Sequence, residues 1–229
     1  MSILYNSTRI FRQAGGYAGR VGGFFTMHGQ QDKVFGISNN HVIANLNNCA
    51  QGDIICINNA AKSEVGSLFL WYNLKLHETN TLDAAFFELN NNYQAAWNMP
   101  AHIINPTGMR APMVGENVYM NIYEDAGGGA AMPSRLGRIV QQVAAPLIFS
   151  FHGTTVYYQN LYEIHSINYN PFSCSGDSGS LVFSYDHNVI GILIGGKTEE
   201  GQECSYISYM AALPVAYFNN VGIRLHTVV

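Results

Sequence analysis

Apolar positions recur along this chain in short runs, alternating or continuous, each bounded by Gly, Asn or Pro. The runs cover Gly22 to Met27, Val34 to Ser38, Asp53 to Ile57, Val65 to Tyr72 and Asp83 to Leu89. Further on come Asn117 to Tyr123, Gly137 to Val143, Val156 to Ile167, Gly179 to Ser184, Val189 to Ile194 and Ser205 to Tyr209. Most are of strand length, and no helix-period segments alternate with them as crossovers. The pattern therefore predicts an all-β sandwich or barrel. Two helical pieces are expected: a turn after His41, and a helix over Ala211–Asn220 closed at Gly222 by a left-handed cap. A break between Asn105 and Pro112 divides the chain into 1–108 and 109–229, with about six strands in each part. The glycine-rich stretch Asp125–Pro133 reads as a surface loop.

Composition narrows the function classes. A chain of 229 residues, 48% hydrophobic, can bury a full core. Its 14 Tyr and 12 Phe suit pleated strands. The net charge of -4 leaves no basic stripe to follow a phosphate backbone, so nucleic acid is not an expected partner. No run of roughly 18 apolar residues occurs, so no membrane span is expected. Met1 to Asn6 lacks the basic and apolar regions of a secretory leader, which points to the cytoplasm. Cys49, Cys56, Cys174 and Cys204 match no zinc spacing. They are expected as reduced thiols, with neither metal nor cofactor bound.

Three segments carry candidate chemistry. In Cys174-Ser175-Gly176-Asp177-Ser178-Gly179-Ser180, the glycines permit a turn that exposes the Ser178 hydroxyl. The same turn aims the N–H groups of Gly176 and Ser178 at one point, as a nucleophile with an oxyanion hole requires. A plain Gly/Ser turn before a strand would read the same way. In Gly36-Ile37-Ser38-Asn39-Asn40-His41-Val42, an imidazole sits where a strand turns into a helical stretch, held rigidly for work as a general base. A structural histidine is the alternative. In Leu82-Asp83-Ala84-Ala85-Phe86, an Asp opens an apolar strand; buried there it needs a donor such as a histidine N–H. A capping Asp would look alike. Taken together the order is His, Asp, Ser, with Ser178 in the second half, which predicts a crevice between two barrels. The α/β-hydrolase order and its G-x-S-x-G elbow do not fit.

With these residues in view, the chain is similar to the chymotrypsin-like (trypsin-like) serine proteases from about Gly19 to Arg224. Within them it resembles the narrow-leaf-type proteases of plants and their bacterial relatives. The resemblance rests on Ser38 to Asn45, Gly52 to Ile55, Leu82 to Ala85, Gly176 to Val182, Val189 to Leu193 and Val221 to Leu225. It implies two six-stranded antiparallel barrels, a His41–Asp83–Ser178 triad, and an oxyanion hole at Gly176 and Ser178. A specificity pocket is implied at Phe172, Ser173, Leu193, Ile194, Gly195 and Gly196, open enough for an apolar or mid-sized P1 side chain. A disulfide between Cys174 and Cys204 is a family feature that a reducing compartment argues against. Arg20-Val21-Gly22-Gly23 looks like a zymogen activation site but lies too close to His41, and reads as strand. Asp177, deprived of a processed N-terminus, is expected to pair with an arginine, with Arg138 the candidate.

Gly191-Ile192-Leu193-Ile194-Gly195-Gly196-Lys197-Thr198 matches a phosphate-binding loop in spelling. Its centre is strand-like, however, and no helix pattern follows. The remaining histidines (His28, His77, His102, His152, His165, His187, His226) read as surface or structural. The expected activity is serine endopeptidase action on polypeptides, restrained in the cell by narrow specificity, a distorted resting site or a regulatory protein partner. A protease fold kept as an interaction module, or an esterase, would share these residues.

Overall fold

The computed structural model describes residues 1–100, 103–122, 135–168, 170–199, 201–209 and 222–228. In chain order the first elements are β1 (Ser2–Tyr5), β2 (Arg9–Arg12), β3 (Ala18–Arg20), β4 (Gly23–Met27), β5 (Gln30–Ser38) and the one-turn helix α1 (Asn40–Ile43). Next come β6 (Ile54–Ile57), β7 (Glu64–Trp71), β8 (Thr79–Asn80), β9 (Ala85–Leu89), β10 (Tyr93–Ala96), β11 (Gly108–Met109) and β12 (Asn117–Met120). The rest are β13 (Arg135–Val143), β14 (Leu147–Phe151), β15 (Thr154–Tyr158), β16 (Leu161–Ser166), β17 (Leu181–Ser184), β18 (Asn188–Glu199), β19 (Gln202–Tyr209) and β20 (Ile223–Leu225).

The later strands close on themselves. Their order is β11-β18-β17-β12-β13-β16-β19, and β19 pairs again with β18, so six strands form a closed barrel. Alternation along β13 shows why: Gly137 and Ile139 face inward while Arg138 faces water. Val118, Met120, Ile164, Val182 and Ile207 fill the interior. The earlier strands form an eight-stranded sheet, β20-β4-β5-β9-β7-β6-β2-β3. It wraps Phe24, Phe25, Phe35, Phe86 and Phe87, whose rings dominate the burial of this half. The expected all-β, two-barrel architecture is observed, although the first ladder runs open and has eight strands instead of six.

Two pairings cross the expected division at residue 108. β20 returns from the end of the chain to pair with β4, and Trp97 Nε1 donates to the His226 carbonyl at 2.8 Å. The hairpin β14–β15 turns through His152 and Gly153, both with positive φ (48° and 78°), the requirement of a tight two-residue hairpin turn. Its second strand pairs in parallel with β8 from the first half.

The apolar run Val156–Ile167 is two strands and not one. Asn160, at φ 59°, interrupts the ladder between them without reversing the chain: Tyr158 pairs with Leu147 and Leu161 with Val143. The expected turn after His41 is α1 itself, with His41 inside it. The helix expected over Ala211–Asn220 and the loop over Asp125–Pro133 lie outside the described residues. The phosphate-loop lookalike falls entirely within β18, with no helix at its end. Among the described residues no helix is long and apolar enough to cross a membrane.

One glycine reports directly on sheet packing. A Cβ on Gly66, in β7, would collide with the Glu88 carbonyl oxygen of β9. Backbone cannot yield as a flexible side chain can. Gly66→Ala is therefore expected to lower the unfolding free energy by about 2–3 kcal/mol, read as a shifted urea midpoint by circular dichroism. An unchanged midpoint would show that β7 and β9 do not approach this closely.

Candidate active site

Helix α1 is too short to stand alone, and its residues are fixed by what they touch. Asn39, at its N-cap, donates its side-chain amide to the Asp83 carbonyl at 2.7 Å. The Asp83 carboxylate then accepts three donors. These are His41 Nδ1 at 2.6 Å, the His41 backbone N–H at 3.2 Å and the Tyr158 hydroxyl at 2.6 Å. Asp83 is fully buried. A carboxylate withdrawn from water in this way is tolerable only with such a set of donors. Burial, reinforced by the Asp83 charge, holds Tyr158 well above the ordinary phenol range, so its hydroxyl keeps the proton it donates.

The His41 ring is covered. Phe151, from the β14–β15 hairpin, stacks on it with centroids 4.0 Å apart and planes at 14°. Tyr17 meets it edge-on at 5.9 Å, and the histidine is 2% exposed.

Ser178 sits on the turn before β17. Gly176 and Gly179 hold φ of 88° and 93°, values that favour glycine. The Asp177 N–H closes the turn onto the Cys174 carbonyl at 3.1 Å. Among the described residues neither the Gly176 nor the Ser178 N–H has a backbone acceptor. The Ser178 hydroxyl donates to the Ile194 carbonyl at 2.9 Å and makes no hydrogen bond to His41. Both groups line one cleft of about 790 Å³.

Asp177 anchors the turn. Its carboxylate pairs with Arg20 Nε at 2.8 Å and with Arg135 at 2.5 Å, and accepts the Cys174 N–H at 2.8 Å. The expected partner, Arg138, is not involved: it lies on the outward face of β13, three residues along from Arg135. Arg20 ends β3, and neither it nor Val21 is exposed. The segment expected as strand is the join between two strands: β3 ends at Arg20, β4 begins at Gly23, and Val21 and Gly22 connect them. Burial lowers the Arg20 pKa from its ordinary value, and the Asp177 charge opposes the shift.

The expected specificity pocket divides. Ser173, Gly195 and Gly196 line the cleft. Phe172 and Leu193 do not: they pack inside the closed barrel. Ile194 also turns away, into the apolar cluster under the hairpin, and only its carbonyl reaches Ser178. The cause is an irregularity in β18 between Leu193 and Gly195, which breaks the alternation and presents both glycines to the cleft. The lining beyond carries the hydroxyls of Ser175, Thr198 and Ser205 together with Lys197 and Glu203; Ser205 Oγ lies 2.7 Å from Ser173 Oγ. All four cysteines are thiols outside any disulfide, Cys174 and Cys204 included. Sequence reasoning missed Tyr158 and Phe151, since nothing along the chain links a hairpin tyrosine to an aspartate 75 residues earlier.

The architecture is shared with solved structures of low sequence identity. Protease A of Thermobifida fusca matches with a TM-score of 0.64 at 12% identity, over 99% of this chain and 100% of that one. The Nocardiopsis protease matches at 0.63 and 14%, over 99% and 100%. The Cellulomonas bogoriensis chymotrypsin matches at 0.53 and 15%, over 91% and 98%. The fold is that of the chymotrypsin-like serine proteases. No protein-family model and no curated protein matches the chain.

Removing Arg20 takes away one of the two cations on the buried Asp177 carboxylate and leaves Arg135 to balance it. Arg20→Met is expected to destabilise by roughly 1.5–3 kcal/mol, whereas Arg138→Ala, on an exposed face, should stay within about 0.5 kcal/mol of wild type. Chemical denaturation of both variants checks the contrast, and equal losses would refute the assignment of Arg20 as the anchor.

Proposed function

We propose that this chain is a serine endopeptidase that cleaves polypeptides through an acyl-enzyme. The observation that carries the reading is the 2.6 Å contact between His41 Nδ1 and the buried Asp83, with His41 and Ser178 lining one cleft. Asp83 fixes the tautomer with a proton on Nδ1, leaving Nε2 able to accept. On substrate entry the Ser178 hydroxyl swings from the Ile194 carbonyl toward His41, which takes its proton as Oγ attacks the scissile carbonyl. The N–H groups of Gly176 and Ser178 hold the oxyanion. His41 then protonates the leaving amine, and water releases the acyl group. No step calls for a metal or cofactor.

The glycines at 195 and 196 leave room for a mid-sized P1 side chain, in a cleft lined by hydroxyls and also by Lys197 and Glu203. The narrower kinship with narrow-leaf-type proteases, carried by Ser38 to Asn45 and Leu82 to Ala85, belongs to this reading. So do a cytoplasmic location and a restraining protein partner. One observation favours a second reading, a protease fold that binds without turnover: the hydroxyl rests on Ile194 and the imidazole lies beneath Phe151.

A fluorophosphonate probe separates the two. It is expected to label wild type and not Ser178→Ala, with peptide hydrolysis falling at least about 10³-fold in that variant. Wild type left unlabelled would favour binding without turnover. A finer test concerns Tyr158 as a positioning residue. Tyr158→Phe deletes one hydrogen bond to a charged group, about 1.5–3 kcal/mol, so kcat should fall roughly 10–100-fold with KM little changed. A loss confined to KM would count against that role.

A further inference from the structure

Away from the His–Asp–Ser chemistry, the described residues hold one cluster of nitrogen, oxygen and sulfur donors close enough to share an ion. Strand β16 carries Glu163 and His165 two residues apart, hence on one face. The antiparallel partner β19 sets Cys204 directly opposite His165. A carboxylate oxygen of Glu163, a ring nitrogen of His165 and Cys204 Sγ all lie within 4.8 Å of one another. In a tetrahedral zinc site, with bonds of about 2.0–2.3 Å, donors stand roughly 3.3–3.8 Å apart. The 3.5 Å between His165 Nε2 and Cys204 Sγ already meets that. The Nε2 and Glu163 Oε1 atoms, 2.5 Å apart, must separate when an ion enters between them.

Each hard donor also has a carboxamide behind it. Gln141 donates to the other Glu163 oxygen at 2.8 Å, and the Gln202 amide lies 2.7 Å from His165 Nδ1. Such outer contacts orient metal ligands and set the imidazole tautomer. Glu163 and Cys204 are 5% and 4% exposed. Cys204 also lines the large cleft, which gives an entry path and room for water as a fourth ligand.

We propose that Glu163, His165 and Cys204 bind a zinc-class divalent ion in the wall of the cleft. Thiolate, imidazole and carboxylate together favour zinc or cobalt over magnesium or calcium. On binding, the Cys204 thiol proton leaves to solvent as the sulfur–metal bond forms. The imidazole proton moves from Nε2 to Nδ1 and stays there, donating a hydrogen bond to the Gln202 carboxamide oxygen once that group turns to present it. No electron is transferred. The ion ties β16 to β19 irrespective of what the cleft catalyses. Spacing along the chain gave no hint of it, because the ligands meet only through strand pairing.

Titration of the chelator-stripped full chain with Co²⁺ tests this. One equivalent should bind, giving a thiolate-to-metal charge-transfer band in the near ultraviolet and tetrahedral ligand-field bands in the visible, all displaced by Zn²⁺. Cys204→Ser should abolish the charge-transfer band. Gln202→Ala, at an exposed position and therefore safe for folding, should weaken binding about 10–100-fold. Cys174→Ser removes an exposed thiol of the same cleft and should bind as wild type does. Absence of the band in wild type, its survival in Cys204→Ser, its loss in Cys174→Ser, or undiminished binding by Gln202→Ala would each overturn the site.

Discussion

At the seam between the two sheets, the Asp177 carboxylate is held between the guanidinium groups of Arg20 and Arg135. An isolated carboxylate there would lose its hydration with nothing in return; two cations and the Cys174 N–H replace the water. The consequence of this contact is positional. Arg20 belongs to the first sheet and Asp177 to the turn carrying Ser178, so the ion pair fixes one half against the other. The Arg20 backbone repeats the connection: its N–H donates to the Ser178 carbonyl at 2.8 Å, and its carbonyl accepts from Ser38 Oγ at 2.8 Å. Ser38 lies three residues before His41. One arginine thereby spaces the serine turn and the histidine helix in a single element.

The second constraint works on the imidazole. Three donors converge on Asp83, two of them from His41 and one from Tyr158. Tyr158 reaches the site because β15 pairs with β8 from the other half of the chain. The same hairpin carries Phe151 onto the face of His41. Ring orientation is thus determined from the edge by a carboxylate and from the face by an aromatic, and the hairpin that supplies both Tyr158 and Phe151 crosses between halves of the molecule.

Local signals made the strands and the three chemical segments legible. Apolar alternation, the glycines around Ser178 and the Asp at the head of a buried strand all act within a few residues. What the chain did not disclose depends on contacts across sequence. Arg138 and Arg135 differ only in which side of β13 they face, and the register that decides it is set by β12 and β16. Leu193 and Phe172 looked like pocket residues until the irregularity in β18 turned the first into the barrel. Gly19 and Gly22 show the same limit. A Cβ on either would collide with the carbonyl of Ser178 or Gly179, a closeness no local pattern announces.

Where polar groups are buried says something about what the fold is for. Arg20, Ser38, Asn39, Asn40, His41, Asp83, Asp177 and Ser180 are withdrawn from water along the seam, while Arg12, Asn80, Glu163, Ser184 and Ser208 are buried elsewhere. Apolar side chains of similar volume are often as stabilising as a buried ion pair, or more so. Stability alone would therefore favour filling the seam as the interiors are filled, with Phe, Ile, Leu and Val. The chain instead keeps charges and amides there, most of them matched by partners at hydrogen-bonding distance. The seam is thus where the buried Arg20–Asp177 pair holds the two halves in register and the His41–Asp83 contact fixes the imidazole, at a place where packing alone gives least reason for charge.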